Sequence, residues 1–437
     1  MEHARRDLIN KICVDGMSDV VFKAMVIVCI LMGTSIHVFT YAAFALMLLY
    51  FLIAGNESCI NCMFFLLPFA NIFKANPASS SFFSYLTIIL ALRLIATKKS
   101  IEKRFVLVWM VLFAVQVVGC RGQVALLIKQ ATNLLLIYGF FHNYQSGAKR
   151  ITLNLAMGML ISCVVANMTA FFPGISEYMR IVRAYEVSTD IYRFTGLFSD
   201  PNYLSKTLIV LCVSLFVLIQ QNRIGPIYWV VIILFLVFGV QTISKSFFLM
   251  LLVMVSLFTG IAIRQRHHGL LLMVLLSCTV VGGLYLSGKL TFFNYIAKRF
   301  ETGDVTTGRI AIWKDYIGIM ISNPLNLLSG FGIGNSLKYM AHNTYLDFLY
   351  YYGILGSGVL LLGLYYAVNK KVRCTNIMNW APMICVLIMD FFLSSLLTYD
   401  FAFNLILILS FVLETTELKA EKQGVEEYHD HSNRSVL

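Results

Sequence analysis

The chain has 437 residues, of which 59% are hydrophobic and 13% charged, about half the charged share of an ordinary soluble domain. With a mean hydropathy of +0.78, that composition excludes a soluble globular protein. A formal net charge of +12 would suit nucleic acid on a soluble chain; here Lys and Arg gather in short loops between apolar runs and set topology instead, so no nucleic-acid partner is expected.

Residues 1–20 read as a cytoplasmic N-terminus, because Glu2, His3 and Asp7 dilute its basic charge and no small-residue cleavage site follows. Apolar runs over 21–36, 39–54, 60–73, 81–96, 105–119, 123–142 and 151–171 predict the N-terminal membrane helices, which occupy 21–171. A first outer loop is expected over 172–202. Central helices follow within 203–287, as runs at 203–221, 227–241, 246–263 and 270–287. A larger outer loop is expected over 288–343, then C-terminal helices within 344–414 (345–368, 378–397, 401–414), and a polar cytoplasmic tail over 415–437. The expected fold class is all-α, a polytopic transmembrane helical bundle of about 12–14 spans; several runs are short enough to be re-entrant or to merge.

Charge supports the alternation. Arg5, Arg6, Lys11, Lys23, Lys98, Lys99, Lys103, Arg104, Lys149, Arg150, Arg223, Arg264, Arg266, Lys370, Lys371 and Arg373 fall on one side, against Lys74, Arg121 and Lys245 in the short loops of the other. The positive-inside rule then places both termini in the cytoplasm. Both long loops fall outside and form a periplasmic or extracellular cap. They carry Arg180, Arg183 and Arg193 in the first, and Lys289, Lys298, Arg299, Arg309, Lys314 and Lys338 in the second. Longer loops are exempt from the rule, and a basic surface beside the bilayer suits either lipid headgroups or an anionic ligand presented at the membrane edge.

Cysteines lie mostly in apolar runs, so no disulfide framework is expected; Cys59-x-x-Cys62 has no second pair to complete a zinc site. Neither a metal nor a cofactor is expected.

The chemistry-bearing residues concentrate in the two long loops and at one span end. Asp200-Pro201-Asn202 is a turn into a helix, with Pro201 suited to the first helical position and Asp200 and Asn202 to capping. Capping does not explain Arg193, whose fork could grip a phosphate in two places. Lys245, in Thr242-Ile243-Ser244-Lys245-Ser246, either snorkels to headgroups or adds a point charge to the same basin. Arg309 opens an interfacial helix to Ile321, with Trp313 and Tyr316 as anchors and Asn323-Pro324 as its stop. Gly330, Gly332 and Gly334 lack a βαβ setting and read as flexible or close-approach backbone. His342-Asn343 stands at the mouth of the next span; a lone histidine is ordinarily structural, but an imidazole there, downstream of a basic loop, can accept a proton near neutral pH. Lys129 and Asp390, costly at membrane depth, either pair with each other or line a cavity.

Three blocks, in this order and setting, resemble the O-antigen polymerase and ligase superfamily, the Wzy/WaaL-type membrane glycosyltransferases, over residues 190–360. They are Arg193-x-x-Gly196 with Asp200-Pro201-Asn202-Tyr203; Gly308-Arg309 with Trp313, Asn323-Pro324 and the glycines to Gly334-Asn335; and His342-Asn343 followed by Gly353-Ile354-Leu355-Gly356. Where many members show Ser-Arg, this chain has Ser244-Lys245, which keeps the charge and loses the fork. The resemblance implies a metal-independent glycosyl transfer, at the outer face of a bacterial plasma (inner) membrane, from an undecaprenyl-diphosphate-linked oligosaccharide. A flippase and chain-length regulators are the partners it brings. It implies catalytic roles for His342, Arg309 and Arg193, and substrate contacts from Lys245, Asn343, Asn202, Asp200, Trp313, Gly332, Gly334 and Arg183. A polymerase extending the glycan is the expected function, a ligase moving the finished glycan onto lipid A-core the alternative, and a flippase a third reading, disfavoured because its charges should sit mid-membrane.

Overall fold

The structure is a computed structural model and describes residues 19–98, 100–119, 123–143, 147–178, 183–186, 191–264, 308–333, 337, 340–368, 377–394 and 400–413. The expected run at 270–287, most of the second long loop and both termini lie outside the described residues. The fold is almost wholly helical. In chain order come α1 (19–33), α2 (His37–Ile53), α3 (Asn56–Leu66), α4 (Phe82–Ala96), α5 (Lys103–Gly119), α6 (Val124–Asn143), α7 (Ala148–Asn167), and the single turn α8 (Ile175–Tyr178). A hairpin of β1 (Arg183–Glu186) and β2 (Ile191–Phe194) precedes α9 (Pro201–Gln220), α10 (Tyr228–Gln241) and α11 (Lys245–Arg264). After the second loop come α12 (Arg309–Ser322), α13 (Pro324–Ser329), α14 (Thr344–Val368), α15 (Ala381–Met389) and α16 (Asp400–Leu413).

Among the described residues, α6, α7, α9 and α14 are long and apolar enough to cross a membrane, which makes the chain a membrane protein. At about 1.5 Å per residue a 20-residue helix spans about 30 Å, the depth of the hydrocarbon layer. Six shorter apolar helices accompany them. Two of the expected apolar runs include residues that the chain uses in turns. The expected run at 60–73 ends as a helix at Leu66 and continues as a 3₁₀ turn over Leu67–Phe69, and 378–397 leaves the helix at Asp390.

The axis of the bundle is α9. From Leu204 to Leu218 every residue of it is buried, apolar and polar alike; a helix apolar on all sides belongs in the middle of other helices. It packs against α7, α10, α11 and α15. Its start is fixed locally: Asp200 Oδ1 accepts the Asn202 N–H at 2.6 Å, and Pro201 takes the first turn, where no N–H is needed. The long loop over 172–202 is not purely irregular. It holds the antiparallel hairpin, with Ala184 opposite Arg193 and Arg183 opposite Phe194.

Helix α14 is not one rod, contrary to the single run expected over 345–368. Gly353 leaves helical geometry at φ +64° and ψ −175°, dividing it into arms of about 14 and 22 Å. Ser357 Oγ donates to the Phe348 carbonyl across the break, at 3.2 Å. Two carbonyls freed by the break find donors in the glycine-rich turn: Phe331 N–H bonds Tyr350 O at 2.8 Å, and Gly332 N–H bonds Tyr351 O at 3.1 Å. The turn enters so closely that a Cβ on Gly330 would meet Tyr351 O at 2.5 Å, and one on Gly353 would meet the Gly330 nitrogen at 2.3 Å. Close approach is therefore the use of these glycines.

Candidate functional site

Strand β2 delivers Arg193 into the bundle, where it is 8% exposed. Its Nε donates to the Thr242 carbonyl at 3.0 Å and its Nη2 to Asn202 Oδ1 at 3.1 Å. The same Asn202 oxygen accepts Ser244 Oγ at 2.8 Å, and Ser244 is hydrogen-bonded to Ser246 at 2.8 Å. Thr242 and Ser244 flank Ile243, buried at the α10–α11 turn with φ +47°. A β-branched residue in that region is a strained position, held by its surroundings. The Asp200–Asn202 and Thr242–Ser246 blocks, separate in the sequence, thus meet around one guanidinium. Among the described residues, two of the five Arg193 donors are engaged by the protein. Lys245 begins α11 beside this network and is half-buried.

Arg309 is the first residue of α12, after Gly308 in the left-handed region at φ +77°. Trp313 Nε1 donates to the Ala341 carbonyl at 2.8 Å, tying α12 to the residue before His342. Tyr316 is buried and edge-on to Tyr350, with centroids 4.8 Å apart. His342 itself takes φ +49°, an uncommon conformation for a side-chain-bearing residue and one found at functional sites. The next residue secures the chain: Asn343 Oδ1 accepts the N–H groups of Tyr345 at 3.0 Å and Leu346 at 3.1 Å, capping α14.

The charges of the three segments interact. Burial pushes the Arg193 guanidinium down to about 10, with Asp200 opposing and Arg309 adding to the fall. Burial also lowers Arg309, again opposed by Asp200. His342 is lowered by burial first and by Arg309 second, with Asp200 pulling the other way. The site therefore brings together two guanidinium groups, the Asp200 side chain and an imidazole that is uncharged near neutral pH. Such a group can bind an anion and accept a proton. Asp200→Asn keeps a capping side chain and removes the charge that raises His342. In the variant, the His342 resonances are expected to titrate at lower pH than in the wild type, read by NMR against a His342→Gln control. Movement to higher pH would contradict this electrostatic arrangement.

Of the residues expected at the site, Arg193, Asp200 and Asn202 are joined by hydrogen bonds, Arg309 and His342 lie within electrostatic reach of Asp200, and Trp313 ties α12 to the residue before His342. The side-chain oxygen of Asn343 is occupied by its cap, and Gly332 serves the break in α14. Gly334 lies outside the described residues, as does the side chain of Arg183. Of the two charges costly at membrane depth, Asp390 forms an ion pair with Lys206 and lines a cavity, and Lys129 lies near Asp400. Lys206 is a residue that reading the sequence missed, although it stands four positions after Asn202 and so on the same helical face. No family model, curated protein or solved structure matches the chain.

Proposed function

We propose that the chain is a polysaccharide polymerase of the plasma membrane, which joins polyprenyl-diphosphate-linked oligosaccharide units at its outer face into O-antigen, capsule or exopolysaccharide. The observation that carries this reading is the meeting of Arg193, Arg309, Asp200 and His342, drawn from separate segments at the head of the bundle. Two guanidiniums suit a diphosphate that is both the anchor and the leaving group of the donor. As the bond between the anomeric carbon and the diphosphate oxygen breaks, that oxygen gains negative charge, which Arg193 and Arg309 stabilise. The acceptor hydroxyl oxygen bonds the anomeric carbon, and its proton passes to the uncharged imidazole of His342. The resemblance of the Arg193–Tyr203, Gly308–Gly334 and His342–Gly356 blocks to the O-antigen polymerase and ligase superfamily points the same way.

The reading also assigns orientation: both termini in the cytoplasm, and the Arg193, Arg309 and His342 segments outside. A reporter fused after Lys314 is expected to register outside the cytoplasm; activity on the cytoplasmic side would reverse the topology. The function is tested with purified protein in liposomes and a synthetic polyprenyl-diphosphate repeat unit. A ladder of lipid-linked products is expected from the wild type and none from His342→Ala. Transfer only to an added lipid A-core acceptor would identify a ligase, and no transfer to either would defeat the proposal.

A further inference from the structure

Below the site, a second group of polar contacts converges on the turn at 390–394, where α15 ends. Lys206 and Asp390 form an ion pair with side chains only 2% and 10% exposed. Thr344, two residues after His342, donates its N–H to the Asp390 carbonyl at 2.8 Å and its hydroxyl to the Leu393 carbonyl at 2.6 Å. Tyr203 donates its hydroxyl to the Ser394 carbonyl at 2.6 Å. The turn is thereby bound to α9, which carries Asn202 and with it Arg193, and to the segment that carries His342.

Neither helix stability nor packing explains this arrangement. A carboxylate at the C-terminal end of a helix opposes the helix dipole, and Asp390 is the residue that ends α15. An ion pair inside a membrane bundle is costly, and apolar residues of similar volume commonly hold a fold as well or better. Nor does dense packing fix the 343–345 segment here. Lys206, Thr344, Tyr345 and Asp390 all line a cavity of about 490 Å³ whose remaining walls are mostly apolar, Phe348 and Ile408 among them. On that side polar bonds are what hold the segment.

We propose that the Lys206–Asp390 pair is a positioning device: it fixes the distance and orientation between the α9 end that holds Arg193 and the segment that holds His342. The pair touches no reacting atom. Its kinetic consequence rests on the function proposed above; its geometric consequence does not. For a site assembled from separate segments, a displacement of about 1 Å can lower turnover by about 100-fold.

The test is the double variant Lys206→Met/Asp390→Leu, which removes the pair and leaves no lone charge behind. Spin labels introduced as unnatural amino acids at Ser199 and Met340, both exposed, report the separation of the two segments in bilayer discs. A single narrow distance distribution is expected for the wild type. The double variant is expected to unfold at an unchanged or higher temperature while its distribution broadens. Turnover is expected to fall by about 100-fold with the donor KM little changed, and the swap Lys206→Asp/Asp390→Lys is expected to restore much of both. If the double variant fails to fold, Lys206→Gln/Asp390→Asn, which removes both charges of the pair at nearly constant shape, takes its place with the same expected broadening. A folded variant with an unchanged distribution overturns the positioning role, whether or not the wild type extends a glycan. A wild type with no transferase activity refutes the proposed function and leaves the distance measurement to decide the role of the pair.

Discussion

Replacing Arg309 with alanine is expected to lower chain extension by about 100- to 1,000-fold, the loss seen when one preorganised donor to a developing negative charge is deleted. That range corresponds to about 2.7–4 kcal/mol of transition-state stabilisation. Accumulation of the protein in the membrane should not change, because Arg309 stands at the start of α12 and α12 is held through Trp313 and Tyr316. Arg309→Lys keeps the charge without the planar fork and is expected to fall between the wild type and Arg309→Ala. Arg309→Ala also removes a charge that lowers His342, so the acid limb of any remaining activity should move to higher pH. Single-turnover rates on a polyprenyl-diphosphate unit measure both effects. A full-length ladder from Arg309→Ala would remove this residue from the mechanism.

Gly353→Ala is expected to have the largest effect on folding. The new methyl would sit 2.3 Å from the Gly330 nitrogen and 2.4 Å from the Leu328 carbonyl oxygen, and both are backbone, which cannot step aside as a side chain can. The residue would also hold φ at +64°, a cost of about 1–2 kcal/mol for an L-residue. Overpacking adds about 1–3 kcal/mol, so a total of roughly 2–5 kcal/mol is expected, a large share of the stability of an ordinary domain. Gly358, five positions on in the second arm of α14, is the control: nothing lies within 4 Å of an added Cβ there, and alanine should be tolerated. Thermal unfolding of both variants in detergent measures the difference. Equal midpoints would mean that the break does not depend on glycine at 353.

Much of this fold follows from local rules, and those parts are legible in the sequence. Asp200-Pro201 announces the start of α9, and the structure places the cap and the proline there. The glycines at 330 and 332 read as close-approach backbone, which is their use. What they approach is not legible: Gly353 stands in the run Tyr350-Tyr351-Tyr352-Gly353-Ile354-Leu355, apolar enough to continue a helix, and only its contact with a segment about twenty residues upstream reveals a break. Hydropathy misses the interruptions within two of the expected runs for a similar reason. A window of apolar residues cannot separate a rod from a rod plus a turn, as 60–73 and 378–397 illustrate.

The site divides in the same way. Arg193, Arg309 and His342 can be singled out because each is a polar residue at an improbable place, and block order brings them into one argument. The hydrogen bonds that tie Arg193 to Asn202 and Thr242 are a matter of tertiary geometry. So is the pairing of Asp390 with Lys206: charge alone left open a partner or a cavity, and the fold gives Asp390 both. A sequence gives the inventory of intramembrane charges, but several partners satisfy the same electrostatics, and only helix packing selects one.

The crossing of Gly330 against Gly353 has a consequence for anyone recombining such chains. The two stretches are mated backbone to backbone, each supplying what the other lacks, so neither is a transplantable module. A chimera that imports residues 309–333 from a relative without the matching 344–368 should assemble poorly even when every aligned side chain agrees, and one that carries both should assemble. Any specificity carried by these two segments will travel as a pair.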